Sequence, residues 1–138
     1  MRYVESSALV AAFLEADAPA RKALRAPGRR VSSMLTLAEA HRAVRRAQGM
    51  GRLTAADQRR VARGLSTFAR RCAWVTVSDD ILTRAGGPFP VEPLRTLDAI
   101  HLATLESLGE PPQLVSVITR DVRIADNARA MGYTVAPS

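Results

Sequence analysis

The segment Thr96-Leu97-Asp98-Ala99-Ile100-His101-Leu102-Ala103-Thr104-Leu105 constrains the fold more than any other stretch of the chain. At about 100° per residue, Leu97, Ile100, Thr104 and Leu108 occupy one side of a helix, and Ala99, Leu102, Ala103 and Leu105 cover most of the remainder. A helix apolar nearly all round is a buried one, so other elements must pack against it from several directions. Thr96 is placed to cap this helix. Asp98 falls in its first turn, where the positive end of the helix dipole favours an acid by about 0.3–1 kcal/mol. That local role is enough for an isolated acid, but a carboxylate close to an interior also needs a partner, a proton or a metal.

The elements around this helix alternate. Arg2 to Glu5 reads as a short strand, and Ser6-Ser7 opens a helix through Ala8, Leu9, Ala12, Phe13 and Leu14. Pro27-Gly28 marks a turn before a second strand at Arg30 to Ser33, and Thr36 to Gln48 is a helix closed by Gly49. Thr54-Ala55-Ala56-Asp57 resembles a capping box and opens a long arginine-rich helix toward Cys72. A third strand spans Trp74 to Val77, Ser78 caps a short helix, and the run from Gly86 to Pro90 is a loop leading to the buried helix. Leu114 to Ile118 is the most apolar strand, Asp121 to Met131 a helix ended by Gly132, and Tyr133 to Val135 a last short strand. Strands alternating with helices predict an α/β fold, with a mainly parallel sheet of four to five strands covered by helices. The 138 residues suffice for one domain, 1–138.

No apolar run approaches the roughly 20 residues of a membrane span, and the N-terminal residues contain no apolar signal core. With a lone Cys72 that cannot form an internal disulfide, the expected home is the cytoplasm. The net charge is +7, and nineteen of the twenty basic residues are arginine. Such a surface draws polyanions, so nucleic acid or an acidic protein segment is an expected partner.

In open parallel sheets the functional crevice lies beyond the carboxyl ends of the strands. Glu5 ends the first strand and Asp121 follows the fourth, so both belong at that edge. Asp98 can face the same crevice from the start of the buried helix. Glu39 lies at the margin of the apolar stripe Leu37, Ala40, Val44 and Ala47. Two like charges 4 Å apart repel by roughly 4 kcal/mol at an effective dielectric of 20, so four such acids together need cations. Hard divalent ions such as Mg²⁺ or Mn²⁺ take carboxylate oxygens, keep several waters and suit phosphate-ester hydrolysis.

Tyr3-Val4-Glu5-Ser6-Ser7-Ala8-Leu9, Leu35-Thr36-Leu37-Ala38-Glu39, Leu97-Asp98-Ala99-Ile100-His101-Leu102-Ala103 and Ile118-Thr119-Arg120-Asp121 followed by Arg123 resemble, in order and spacing, the motifs of PIN-domain ribonucleases, especially VapC-type toxins. The similarity runs from the first strand to the last. It implies a PIN-like fold and metal-dependent RNA cleavage, with Glu5, Glu39, Asp98 and Asp121 as metal-site acids and Thr119 as a supporting hydroxyl. It also implies a small antitoxin, which would cover or enter the crevice, and frequent dimerisation. Glu5 departs from the Asp usual in the first motif. An alternative is therefore a PIN-like scaffold that binds RNA or protein without cutting.

Other candidates read as structural. Glu39 can pair with Arg42 at i,i+3, Asp126 is a helix charge that could serve the site as an accessory acid, and Asp79 and Asp80 are first-turn acids. His101 on an apolar helix is a hydrogen-bonded packing residue. Arginines at 42, 45, 46 and 52 and at 59, 60, 63, 70 and 71 could hold an RNA backbone, which gives affinity without sequence choice. The chain has no Gly-rich phosphate loop, zinc-ligand set or nucleophile elbow, and Lys22 is misplaced for a receiver-like phosphoacceptor site. Because Glu5 is a competent hard-oxygen ligand, Glu5→Asp is expected to keep or raise metal-dependent RNA cleavage, and complete loss would assign Glu5 another task.

Overall fold

A computed structural model describes residues 1–138. Five strands, β1 (Arg2–Val4), β2 (Arg30–Ser33), β3 (Cys72–Val75), β4 (Ser116–Ile118) and β5 (Thr134–Ala136), form one sheet in the order β3-β2-β1-β4-β5. Every pairing is parallel, so the mainly parallel sheet expected from the sequence is wholly parallel. The helices are α1 (Ser6–Leu14), α2 (Ala18–Arg25), α3 (Met34–Gly49), α4 (Ala55–Arg70), α5 (Asp79–Ala85), α6 (Thr96–Ser107) and α7 (Val122–Ala130). No helix is long and apolar enough to cross a membrane.

Period-two alternation divides the core into two layers. Val4 and Ile118 face α1, α2, α3 and α4, where they pack with Leu9, Leu24, Val61 and Phe68. Tyr3, Val115 and Val117 face α5, α6 and α7, where they meet Ile81, Leu102, Leu105 and Ile124. Residues 99–105 of α6 are all buried, which accounts for its apolar character on every side. Leu97 is the exception at 46% exposed, because the first turn of α6 emerges at the sheet edge.

Local chemistry sets most element ends. The Thr54–Asp57 capping box is complete, Ser78 caps α5 through the Ile81 amide, and Ser33 caps α3, which starts at Met34, two residues ahead of the expected Thr36. At α6 the cap position is Arg95, without a side-chain cap, rather than Thr96. Strand β3 begins earlier than Trp74, and the expected strand at Leu114 begins instead with a 3₁₀ turn over Pro112–Leu114. The helix absent from the sequence reading is α2. Its signals were Asp17, whose side chain accepts from the Ala20 amide, and Pro19 in the first turn.

Helices α1 and α4 approach closely at Gly64, where a Cβ would lie 2.7 and 2.8 Å from Phe13 Cε1 and Cδ1. Helix propensity alone favours alanine over an interior glycine by about 1 kcal/mol. The overpacking reverses that sign, so Gly64→Ala is expected to lower stability by about 1 kcal/mol, read as a lower urea midpoint with unchanged slope.

Candidate metal centre and its crevice

The strand order places the switch point between β1 and β4, since the chain moves from β1 outward to β3 and then returns to the other side. Two of the four expected acids flank this point. Glu5 leaves β1 as the cap residue of α1 in extended conformation, and its amide donates to the Ile118 carbonyl at 3.0 Å. Its carboxylate is buried and receives three hydroxyls. Ser6 Oγ donates to Oε1 at 2.8 Å, Thr119 Oγ1 donates to Oε2 at 2.7 Å, and Ser7 Oγ also donates to Oε2. The longer arm of Glu5 thus ends among fixed donors.

Asp121 follows β4 and caps α7, with Oδ1 accepting from the Ile124 amide at 2.9 Å. Its own amide donates to Thr119 Oγ1 at 3.0 Å, and the Arg120 amide donates to Ser7 Oγ at 2.8 Å. Thr119 Oγ1 therefore bonds both the Glu5 carboxylate and the Asp121 amide. Arg120 itself makes a two-pronged pair with Asp17, at 2.8 Å for each contact. The Arg120 guanidinium, together with the Ala20 amide, holds the Asp17 carboxyl below its ordinary range. This clamp, which the sequence reading did not identify, fixes the α1–α2 corner against the loop after β4.

Glu39 enters from α3 with its side chain 26% exposed, and Oε1 lies 2.6 Å from His101 Nε2 on α6. That contact replaces the Arg42 pair considered from sequence. Ligating atoms of Glu5, Glu39 and His101 all fall within 4.8 Å of one another. Asp98, in the first turn of α6, and Asp121 do not join that tightest group. Asp98 is only partly buried, yet its carboxyl is raised above its ordinary value, first by desolvation, then by the Asp121 charge and further by Glu5. These effects tie Asp98 electrostatically to both strand-end acids.

None of the four acids has an arginine or lysine partner within ion-pair distance. The guanidinium pairs are instead Arg60–Asp57, Arg84–Glu106, Arg120–Asp17 and Arg129–Asp126. The accessory role considered for Asp126 gives way to a surface pair with Arg129, and Asp79 and Asp80 are first-turn acids of α5 as expected. In a chain of net charge +7, Glu5 and Glu39 thus have His101 as their basic neighbour and no arginine or lysine, and their oxygens are of the hard type that a divalent cation takes. Beside them runs a cavity of about 530 Å³ whose lining includes Ser7, Glu39, Arg42, Arg46 and Arg120.

Comparison with known proteins places the whole chain in a family. The PIN domain family matches residues 2–130. Ribonuclease VapC46 of Mycobacterium tuberculosis is 40% identical over 139 residues, spanning 99% of this chain and 97% of that protein. Ribonuclease VapC35 of the same species is 35% identical over 57 residues, 41% of this chain. Among solved structures, a toxin-antitoxin complex from Klebsiella pneumoniae superposes with a TM-score of 0.66 at 20% identity, covering 100% of this chain and 98% of that one. PAE2754 from Pyrobaculum aerophilum gives 0.64 at 19% identity, covering 97% and 82%. At these identities the structural matches speak for the fold.

Burial and like charges around Asp98 predict a sign for its replacement. A carboxyl raised in the folded state favours folding most below its unfolded value, and that contribution is lost as pH rises through the folded value. Asp98→Asn is therefore expected to raise the melting temperature of metal-free protein at pH 7. The gain should vanish below about pH 4, where the parental carboxyl is protonated. Thermal melts in chelator across that range check it.

Proposed function

The chain belongs to the PIN-domain family, and from that membership and its crevice we propose that it is a metal-dependent endoribonuclease, the toxin of a toxin–antitoxin pair. The observation that carries the reading is the close group of Glu5, Glu39 and His101 beside the β1–β4 switch point, with Asp98 coupled by charge to Asp121 and Glu5, and with none of these acids paired to any of the twenty arginine and lysine residues. In this proposal Glu5, Glu39, Asp98 and Asp121 are the metal and catalytic acids, Thr119 supports Glu5 and Asp121, and residues 1–138 work as one PIN-like domain. Mg²⁺ is the proposed ion, with Mn²⁺ as its substitute. When bound, it would supply Lewis acidity at the scissile phosphate and a lowered pKa for the attacking water.

The protein's own groups do the remaining work. Ser6, Ser7 and Thr119 hold Glu5 in one orientation, and the cap hydrogen bond holds Asp121. Arg42 and Arg46 line the cavity beside Glu39 and are exposed, which suits them to bind phosphates flanking the cut. Their contribution is affinity and register, with no base readout. A small antitoxin would act by covering this crevice, and homodimerisation and a cytoplasmic location belong to the same proposal.

The test is cleavage of structured and unstructured RNAs by metal-stripped protein, with Mg²⁺ or Mn²⁺ restored. Cleavage should require the metal and be lost in identically purified Asp98→Asn. The Arg42→Ala, Arg46→Ala double variant should bind single-stranded RNA more weakly, with a shallower salt dependence by about 0.7 in the log–log slope per phosphate contact removed. Metal-independent cutting, or cutting that survives in Asp98→Asn, would reject the assignment. Folded protein that binds RNA or a partner and cuts no RNA in a broad panel would support the scaffold alternative.

A further inference from the structure

We infer that Tyr3 and His101 form a buried positioning relay that orients Glu39 for a divalent cation. The inference rests on the reading of Glu39 as a metal ligand. Tyr3 on β1 and His101 on α6 are each 1% exposed, and their rings meet edge-on with centroids 6.3 Å apart. Tyr3 Oη is 3.1 Å from His101 Nδ1, while Nε2 on the opposite side of the ring is 2.6 Å from Glu39 Oε1. The three side chains come from the sheet, α6 and α3, so no local sequence requirement forces them together.

Proton accounting gives the relay a direction. An ionised carboxylate has no hydrogen to offer, so a 2.6 Å contact with Glu39 requires the proton on Nε2. In a ring carrying one proton, Nδ1 is then a bare acceptor, and the Tyr3 hydroxyl must donate to it. Thr104 does not compete for Nδ1, because its hydroxyl donates to the Ile100 carbonyl at 2.7 Å. Tyr3 thereby fixes the tautomer of His101, and His101 fixes Glu39.

His101 is in this arrangement a positioning residue. Its Nε2 is committed to Glu39 Oε1 and stands 4.0 Å from Glu5 Oε1. Holding Oε1 leaves Glu39 Oε2 without a protein donor, available to a cation. The same N–H removes part of the repulsion between Glu39 and Glu5 before any cation arrives. A donor that orients a metal-binding carboxylate typically contributes 10–100-fold to metal affinity.

The experiment measures Mn²⁺ affinity of the metal-stripped full chain by calorimetry and electron paramagnetic resonance, for the parent, Tyr3→Phe, His101→Leu, His101→Gln and Glu39→Gln. His101→Leu should weaken Mn²⁺ binding by about 10–100-fold. Tyr3→Phe should weaken it by a smaller factor, and His101→Gln, whose amide can donate in place of Nε2, should restore most of the affinity. In the Glu39→Gln background, Tyr3→Phe and His101→Leu should cost almost nothing further. Nitrogen NMR of the metal-free parent should show the Nε2–H tautomer at His101, and Tyr3→Phe should mix the two tautomers. The inference is overturned by an Nδ1–H tautomer in the parent, by unchanged Mn²⁺ affinity in folded His101→Leu, or by an equal loss with and without Glu39. It is also overturned if the parent binds no Mn²⁺. Mn²⁺ binding that follows the expected pattern in a protein that cuts no RNA would leave the relay standing and reject only the nuclease reading.

Discussion

Parallel pairing of β1 with β4 is the interaction on which the rest of the arrangement depends. Arg2, Tyr3 and Val4 lie against Ser116, Val117 and Ile118 at the middle of the sheet, although more than a hundred residues separate them. Because the chain has meanwhile built β2 and β3 on the other side of β1, its path reverses here, and the two strands diverge into different helices at their carboxyl ends. The crevice opens at these strand ends, lined by α1, α3, the first turn of α6 and Arg120. Hydrogen bonds across it, from Thr119 to Glu5 and from the Arg120 amide to Ser7, bind the two strand ends into one rigid rim.

Electrostatics then separates the molecule into two regions. Arginines crowd the exposed faces of α3 and α4, where the acids are Asp57, paired with Arg60, and Glu39, which turns to His101. Glu5, Glu39, Asp98 and Asp121 have no guanidinium partner within ion-pair distance, and the groups that answer Glu5 and Glu39 are hydroxyls and His101. The Asp98 carboxyl is raised first by desolvation and then by the neighbouring charges of Asp121 and Glu5. Perturbed groups in a crevice at a switch point are characteristic of sites arranged for chemistry rather than for stability.

Helix α6 joins the two regions. Its middle is held on all sides by the core, which fixes the position of His101 as firmly as that of Leu102. Its first turn projects from the core and presents Asp98 and Leu97 at the crevice. One helix thus supplies apolar burial, an acid at the mouth and a hydrogen-bond donor to Glu39. The cost of enclosing the polar groups of Tyr3, His101 and Thr104 is offset because each has a partner inside.

Periodicity and order carried most of the fold. The alternation of strands and helices, the encircling apolar pattern of residues 99–105 and the side-chain caps Thr54 and Ser78 are local properties, and local properties survive in a one-dimensional record. The strand-end positions of Glu5 and Asp121 were legible for the same reason. Helix α2 was missed although its signals are also local, with Asp17 and Pro19 opening it and Ala20, Ala23 and Leu24 on one buried face; the small alanines carry that face with little apolar bulk. What only the tertiary structure decided was which groups meet. Glu39 chose His101 over Arg42, Tyr3 reached across from β1, and Arg120 turned to Asp17, since contacts between residues 62, 98 and 103 positions apart depend on how the layers pack and leave no trace in local spacing.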